Sequence, residues 1–328
     1  MTQLWHDLPP LGMGCWAIGG PFSGGGRPLG WGATDDTVSR AALTAAYEAG
    51  VRIFDTAQAY GTGHSETLLG DALARHTDAR FVTKVGYRID PAKRELTGEI
   101  TEPAEIRESL DASRRRLGRD VIDLVLLHPN EAPLATAAPI FDALDEECAQ
   151  GRVGAYGWST DFPDNARAFA TRDGFLAVEH AMNVLFAAPH MVPATQTLGL
   201  TALIRSPLAM GLLAGRITKE TTFGDADVRS TNQGWLGFFE DGRPKPVVFE
   251  RLAAIRDALG TGGRTLAQGA LGWLWARHPA AIPIPGMRTP AQVADLVGAL
   301  EYGPLPRDAV DHIETLIDRT GEDDIRSR

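Results

Sequence analysis

Four polar side chains stand at or shortly after the ends of apolar, strand-like runs, and together they could protonate a carbonyl oxygen. They are an acid, a phenol, an ammonium and an imidazole: Asp55, Tyr60, Lys84 and His128. A buried Lys84 held charged by Asp55 would depress the pKa of Tyr60, so that the phenol could act as a general acid near neutral pH. His128 would be a second donor beside the substrate oxygen. Singly, each has an ordinary alternative: Asp55 could cap a turn, Lys84 could be solvated and His128 could lie in the core.

The elements that must position these groups follow from the pattern of apolar residues. Eight short runs rich in apolar and β-branched residues predict strands at residues 11–14, 51–54, 81–84, 122–127, 153–158, 176–179, 201–204 and 281–284. Amphipathic stretches predict helices at residues 36–49, 65–74, 103–117, 138–150, 163–170, 265–277 and 290–300. Pro103 and Pro290 suit a first helical turn, whereas Gly50 and Gly118 suit helix ends.

Strands that alternate with helices eight times, without a break in composition, predict one α/β domain over residues 1–328, a single (β/α)8 TIM barrel. The alternative, an open doubly wound sheet, would need a Gly-x-Gly-x-x-Gly turn between its first strand and a helix. The glycines at residues 24–26 lack that setting, and we expect them to form a flexible loop at the barrel rim. Residues 216–246 form a long polar segment after the seventh strand, and segments of this length are commonly functional.

The composition excludes several classes of function. With 32 Lys and Arg against 42 Asp and Glu, the net charge is −10, which argues against a surface that binds nucleic acid. The two cysteines, Cys15 and Cys148, give neither a disulfide framework nor a metal cluster, and we expect Cys15 to be a packed, inert thiol. No secretion signal begins the sequence, and no apolar run reaches the about 20 residues that span a bilayer. We therefore expect a cytoplasmic protein without nucleic acid, membrane or metal as a partner.

Seven segments, in order along residues 11–300, resemble the aldo-keto reductase superfamily. Three match its signature segments: residues 54–61 (FDTAQAYG), 82–86 (VTKVG) and 126–129 (LLHP). The other four are residues 14–16 (GCW), 157–160 (GWST), 206–215 (SPLAMGLLAG) and 284–288 (IPGMR). The resemblance implies the same barrel, with Asp55, Tyr60, Lys84 and His128 as the catalytic residues. It also implies a nicotinamide cofactor, since no protein side chain can supply a hydride.

The resemblance further implies a set of cofactor contacts. Ser159, Thr160 and Glu179 correspond to the residues that contact the carboxamide, although the family more often has Asn and Gln at the last two positions. Arg205 stands where many members carry an aromatic ring that stacks on the nicotinamide; a guanidinium could stack there or reach the cofactor phosphates. Trp16 would adjoin both cofactor and substrate. The pyrophosphate-binding segment would comprise Ser206, Pro207, Leu208, Gly211, Leu213, Gly215 and Arg216, with residues 216–246 folded over the cofactor.

The resemblance also implies a pocket for an adenosine 2′-phosphate. It would be formed by Gly286, Met287, Arg288 and Gln292. An arginine fork near the start of a helix suits a phosphate dianion, so the resemblance favours NADP(H) over NAD(H). Substrate contacts are expected from aromatic and polar residues on predicted rim segments: Trp16, Trp31, Tyr60, His128 and Trp158. Such an aromatic wall suits sugars as well as aryl aldehydes.

The sequence thus predicts an NADP(H)-dependent oxidoreductase that interconverts an aldehyde or ketone, including sugar-derived ones, and its alcohol, as a monomer or small homo-oligomer. One alternative is a cofactor-sensing regulatory subunit like the channel-associated branch of the superfamily, which retains the four catalytic residues. Another is a metal-dependent hydrolase. A hydrolase would need several His and carboxylate ligands at strand ends, and His180, the other strand-terminal histidine, has no matched partners in the sequence.

Overall fold

Eight parallel strands form one curved sheet in the computed structural model, which describes residues 4–319 and residue 322. They are β1 (Gly12–Gly14), β2 (Ile53–Asp55), β3 (Arg80–Val85), β4 (Ile122–Leu127), β5 (Val153–Ser159), β6 (Phe175–Ala181), β7 (Thr201–Arg205) and β8 (Ile282–Pro283). Each strand pairs with the next in sequence. The barrel closes just beyond β8, where Gly14 pairs with Gly286 and donates its backbone N–H to Pro285 O at 2.9 Å. The predicted TIM barrel and its eight strands are confirmed.

Alternation along the strands decides which side chains enter the barrel. One apolar cluster fills its interior and contains Ile53, Val82, Leu124, Leu126, Ala155, Ala177, Leu203, Ile282 and Ile284. Because side chains two positions apart share a face of a strand, the next inward residue after Val82 is Lys84, and after Ala177 it is Glu179. The polar groups therefore form the layer above this apolar cluster, at the C-terminal ends of the strands.

Helices surround the sheet: α1 (Asp36–Glu48), α2 (His64–Leu73), α3 (Pro103–Leu117), α4 (Leu134–Ala149), α5 (Pro163–Phe169), α6 (Met191–Leu198), α7 (Pro246–Leu259), α8 (Leu266–Arg277), α9 (Pro290–Val297), α10 (Ala299–Tyr302) and α11 (Arg307–Leu316). Pro103 and Pro290 occupy first turns, and Gly118 ends α3 with φ +63°, as predicted. The predicted helix at 138–150 begins four residues earlier because Pro139 is tolerated inside its first turns. The predictions omitted α6, α7 and α11.

A small second sheet lies on the C-terminal rim, built from the loops after β1 and β3. Its strands are Arg27–Pro28, Ser23–Gly24, Glu95–Glu99 and Tyr87–Asp90. The expectation of a flexible loop at residues 24–26 is wrong. Gly25 and Gly26, at φ +56° and +74°, form the two-residue turn of a hairpin, a conformation that favours glycine.

Residues 216–246, which we call the clasp segment, cross the rim from β7 towards the loop after β1. The segment contains a short 3-10 turn, Val228–Ser230, and a hairpin, Phe239–Glu240 with Arg243–Pro244. Val228 N–H donates to Gly30 O at 2.7 Å, and Asp227 forms a bridge with Trp31. The clasp segment is therefore attached to the loop after β1, across the end of β8.

Among residues 4–319 and 322, no helix is both long and apolar enough to cross a membrane. Nor do these residues bring together three or more His, Cys, Asp or Glu side chains in a group that could hold a metal ion.

Candidate active site

The Lys84 ammonium is the centre of the site. Its Nζ donates to both oxygens of Asp55, at 2.6 and 2.7 Å, and to Thr56 O at 3.1 Å. Tyr60 Oη accepts from the same nitrogen at 3.2 Å. Lys84 is fully buried and Asp55 is 3 % exposed, so these contacts replace water around both charges. The structure thus brings together three of the four predicted catalytic residues on β2, β3 and the loop after β2.

The loop that carries Tyr60 is held by a close backbone approach. A Cβ at Gly61, whose φ is +59°, would lie 1.9 Å from Gly19 O, so only glycine fits at this position. The contact fixes the loop after β2 against the loop after β1. Tyr60 itself is 9 % exposed, and its ring stacks on Trp16 with ring centroids 5.9 Å apart. The phenol therefore reaches the barrel opening with little freedom to move.

His128 completes the predicted set at the end of β4. Its ring meets the Tyr60 ring edge-on at a centroid distance of 5.6 Å, and its backbone N–H donates to Val85 O. On its other side the ring of Tyr87 lies at 5.2 Å. This arrangement places the imidazole beside the phenol, where a substrate oxygen could contact both groups.

The electrostatics of Tyr60 differ from the prediction. Burial raises the pKa of the phenol, and Asp55 and Glu179 raise it further, while Lys84 lowers it. The net pKa lies above the ordinary value near 10, so the expected depression is wrong for the protein without ligands. Tyr60 therefore keeps its proton, which is the state that a general acid needs. For Lys84, burial opposes the charge, but Asp55 and Glu179 outweigh burial and raise the pKa of the ammonium.

Glu179 belongs to this cluster. The family resemblance assigned it to the nicotinamide carboxamide, but in the structure its Oε2 lies 3.2 Å from Lys84 Nζ and the residue is 2 % exposed. Its Oε1 accepts from Ser159 Oγ at 3.4 Å. Two carboxylates thus flank one ammonium. Burial and the neighbouring Glu179 raise the pKa of Asp55 well above its ordinary value.

The Thr160 side chain stabilises the loop that follows β5. Its hydroxyl donates to Asn130 O at 2.8 Å and accepts from Phe162 N and Asn165 Nδ2. A hydroxyl has one donor and two acceptor positions, and these three contacts occupy all of them. The predicted carboxamide contact by the Thr160 side chain is therefore not supported. Ser159 keeps its inward position beside Glu179, at the end of β5. A carboxamide contact by Ser159 remains a prediction.

Arg205 is paired rather than free to stack or to swing towards a phosphate. Its guanidinium donates to Asp161, whose other oxygen accepts from Ala181 N at 2.9 Å. Asp161 is 1 % exposed, so the pair ties the ends of β5, β6 and β7 together. Arg205 still points inward, two residues beyond Leu203 of the barrel interior.

The segment after β7 has an unusual backbone. Ser206, Ala209 and Met210 have φ values of +53°, +48° and +55°, a region that non-glycine residues occupy at a cost of about 1–3 kcal/mol each. Such strain is found at ligand-binding turns. The predicted phosphate contacts Pro207, Leu208, Gly211, Leu213 and Gly215 lie on this turn; the Leu213 side chain is buried, so contact there would be through the backbone. Arg216 is exposed beside the turn.

Arg288 lies half-buried between the start of α9 and the loop after β1. Its Nη2 donates to Ala33 O at 2.9 Å, and its backbone N–H donates to Gln292 Oε1 at 2.7 Å. Burial lowers the pKa of Arg288 and the nearby Arg229 lowers it further, whereas Asp227, which pairs with Arg229, raises it. The guanidinium of Arg288 is a cation that could pair with an anion at this place. The site therefore fits a phosphate, with Gly286 and the buried Met287 forming the turn before it.

Aromatic rings line the opening above Tyr60. Trp16 contacts Trp31 edge-on at 5.2 Å and Trp235 of the clasp segment at 6.2 Å. Trp158 does not belong to this wall, and its predicted substrate contact is wrong. It lies on the outer face of β5 with no exposed surface, donates to Pro129 O at 2.8 Å, and packs on Phe141. Alternation places Ser159, not Trp158, inside the barrel.

Several residues of the site were missed by the sequence analysis: Tyr87, Asp161, Arg229 and Trp235. Arg229 donates to both oxygens of Asp227 and lies over the rings of Phe223 and Trp31, at 3.8 and 4.6 Å. The sequence signal that could have indicated Arg229 is the presence of this arginine among the aromatic residues of the clasp segment. Cys15, in contrast, is packed in the core as predicted, and burial raises the pKa of its thiol well above the usual range.

Comparison with known proteins agrees with this geometry. The model of the aldo/keto reductase family matches residues 10–318. The chain is 26 % identical over 322 residues to aldo-keto reductase YhdN of Bacillus subtilis, covering 96 % of this chain and 92 % of that protein. It is 27 % identical over 316 residues to the NADH-specific methylglyoxal reductase of Escherichia coli, covering 92 % and 93 %.

Among solved structures, a glycerol dehydrogenase from Gluconobacter oxydans superposes with a TM-score of 0.79 at 25 % identity, over 96 % of this chain and 93 % of that one. The family match extends over nearly the whole chain and includes every segment on which the resemblance was based. The chain therefore belongs to the aldo/keto reductase family of NAD(P)-dependent oxidoreductases.

Proposed function

We propose that the protein is an NADP(H)-dependent reductase that converts a small aldehyde or ketone, including sugar-derived carbonyl compounds, into the alcohol, or catalyses the reverse reaction. The observation that carries the proposal is the contact between Lys84 Nζ and Tyr60 Oη at 3.2 Å, with His128 beside the phenol. A protonated phenol and an imidazole at one opening are suited to a carbonyl oxygen that gains negative charge.

The chain's own residues would act in fixed roles. Tyr60 would donate its proton to the substrate oxygen, and Lys84 would stabilise the phenolate left behind. Asp55 would keep Lys84 charged and in position, through its two short hydrogen bonds. His128 would donate a hydrogen bond to the same oxygen and set the direction of the carbonyl. Burial of the set would strengthen each of these interactions, because the local dielectric is low.

A reduced nicotinamide would supply the hydride when bound. Its phosphates would be held by the strained turn at residues 206–215 and by Arg216. Arg288 and the start of α9 would bind a 2′-phosphate, since a guanidinium fork near a helix N-terminus suits a phosphate dianion. The name of the Escherichia coli relative, an NADH-specific enzyme, makes the cofactor preference of this chain a question for direct measurement.

The rings of Trp16, Trp31, Trp235 and Tyr87 would enclose the substrate. Flat aromatic faces pack against the apolar face of a sugar ring or against an aryl group, which supports small aldehydes of both kinds as substrates. The two relatives named for a substrate act on methylglyoxal and glycerol, both small polar molecules. We therefore propose a compact polar carbonyl compound as the substrate.

Single-turnover oxidation of bound NADPH tests the proposal. A panel of small aldehydes, ketones and aldoses would be mixed with the protein and NADPH, with NADH in a parallel series. We expect hydride transfer to at least one compact polar carbonyl compound, faster with NADPH at limiting cofactor. Tight cofactor binding without turnover of any compound would contradict the proposal and support a cofactor-sensing regulatory subunit.

A further inference from the structure

The surroundings of Lys84 contain one more acidic group than a simple ion pair needs. Asp55 lies on β2 and Glu179 on β6, on two sides of the ammonium, at 2.6 and 3.2 Å from Nζ. All three side chains are almost fully buried. If both acids were ionised, the buried set would carry a net negative charge, which the protein interior strongly disfavours.

Lys84 is the cation that contacts both acids. The register of the barrel places Ser159 of β5 and Leu203 of β7 beside Glu179. Tyr60 and Cys15 also interact with this cluster, and both are neutral at pH 7. His128 lies edge-on to Tyr60, and the inward-pointing Arg205 is paired with Asp161. Asp55 Oδ1 and Glu179 Oε2 lie 2.6 and 3.2 Å from the same Lys84 nitrogen, so the two carboxylates are near neighbours. Two carboxylates can share a hydrogen bond only if one of them carries a proton.

We propose that Asp55 and Glu179 share one proton beside Lys84, and that Glu179 thereby provides the site with a proton store that acts through Lys84. This proposal rests on the proposed function for its use in catalysis, whereas the presence of the proton is a property of the free protein. It differs from the carboxamide contact that the family resemblance implied for Glu179.

In reduction, the Tyr60 O–H bond would break as the new O–H bond of the alcohol forms, with the hydride supplied by a reduced nicotinamide when it is bound. Tyr60 then takes a proton from the Lys84 ammonium, and Lys84 takes the proton that the acid pair held. The pair is left as two carboxylates around the restored ammonium, and water returns the proton when the site opens.

Infrared spectroscopy of the free protein tests the proton directly. A protonated carboxylic acid has a C=O stretch that a carboxylate lacks. At pH 7 we expect one such buried band in the wild type. It should be lost in Glu179→Gln, which keeps the side-chain shape, and also in Asp55→Asn, because either change leaves one carboxylate for one ammonium.

The matched control is Glu147→Gln. Glu147 is equally buried but paired with Arg114 and Arg152, and these arginines lower the pKa of its carboxyl, so this change should leave the band in place. Absence of the band in the wild type, or its survival in both Glu179→Gln and Asp55→Asn, would overturn the proposal. Two independent variants keep the test decisive if one of them folds poorly.

The pH profile of single-turnover hydride transfer tests the use of the proton. In the wild type, the rate of reduction should fall as pH rises and the pair loses its shared proton. In Glu179→Gln this alkaline decline should be absent or displaced, because Asp55 alone is ionised throughout. Identical profiles would contradict the proposal. If the wild type reduces no carbonyl compound, the proposed function fails, and the infrared result still decides the proton on Asp55 and Glu179.

Discussion

Lys84 Nζ and Tyr60 Oη lie 3.2 Å apart in a site that admits almost no water. The contact joins the inner face of β3 to the loop after β2, and it is the route by which a charge on the barrel wall acts on the phenol. Since burial raises the pKa of Tyr60 and Lys84 lowers it, the ammonium limits how strongly the phenol holds its proton. Replacing Tyr60 and Lys84 in turn separates the effect of the proton donor from that of the ammonium that lowers its pKa.

Tyr60→Phe should abolish most of the turnover and leave cofactor binding intact. The change removes the proposed donor and keeps the ring that stacks on Trp16. We expect hydride transfer to fall by about 10²–10⁴, as is typical for loss of a general acid. Single-turnover oxidation of bound NADPH measures it, with Tyr47→Phe as the control because that phenol bonds to Asp78 on the surface. A near wild-type rate would identify another acid, with His128 the first candidate.

Lys84→Met should reduce turnover as severely, for a different reason. Without the ammonium, the phenolate loses its stabilising charge, and Asp55 and Glu179 are left buried without a cation. Removing one partner of a buried ion pair costs about 3–5 kcal/mol, so the midpoint of urea unfolding should fall as well. Tyr60→Phe should lose activity without a comparable loss of stability. A Lys84→Met protein as stable as the wild type would show that the ion pair is unimportant for folding.

Arg288→Ala should weaken NADPH binding selectively. If the guanidinium holds the 2′-phosphate, loss of its charged hydrogen bonds should cost about 1.5–3 kcal/mol for NADPH and little for NADH. Arg216→Ala is the matched control, because a pyrophosphate contact is common to both cofactors and should affect them equally. Fluorescence titration gives the four dissociation constants. Equal losses for NADPH and NADH in Arg288→Ala would refute the assignment.

The clasp segment should become protected from hydrogen exchange when cofactor binds. In the free protein its attachment to the loop after β1 rests on a few contacts, chiefly Val228 N–H to Gly30 O and Arg229 over Trp31. Loops of this kind commonly open to release ligand. We expect slower exchange across residues 216–246 at saturating NADPH and no change in α7, which follows directly. Unchanged exchange in the clasp segment would argue that it does not cover the cofactor.

Acid should destabilise the protein through two buried histidines. Burial lowers the pKa of His180 and of His278 to about 4, below the value near 6.5 in an unfolded chain. The unfolded state therefore binds more protons between these values, so stability is complete above pH about 6.5 and declines as pH falls towards 4. The loss is on the order of a few kcal/mol. Urea unfolding across this range should show a shallower decline in His278→Gln than in the wild type, and no change in the exposed control His312→Gln.

The sequence predicted the barrel, and it predicted that Asp55, Tyr60, Lys84 and His128 gather at one rim, because both depend on local patterns. Short apolar runs specify parallel strands, and polar residues at strand ends gather at one rim. The wrong prediction of a substrate contact by Trp158 concerned which face of a strand a residue occupies. Trp158 and Ser159 are adjacent, yet only Ser159 faces the barrel interior, and the strand register determines which of them does so.

The ion pair between Glu179 and Lys84 was not predicted for a related reason. The contact spans the barrel between β3 and β6, and no pattern along the chain reports a distance across a barrel. The same holds for Asp161 and Arg205, which come together only because β5, β6 and β7 end side by side. The pKa of Tyr60 likewise depends on burial, which the residue types alone do not reveal.

The uneven distribution of tryptophan gives the protein an optical signal of its own. Trp16, Trp31 and Trp235 meet at the opening, while Trp158, Trp273 and Trp275 are buried in packed regions outside it. A reduced nicotinamide bound at the opening would accept excitation energy from the first group. Opening of the clasp segment would separate Trp235 from Trp16 and change the emission independently. The unlabelled chain can therefore report ligand arrival and loop movement in one stopped-flow fluorescence trace.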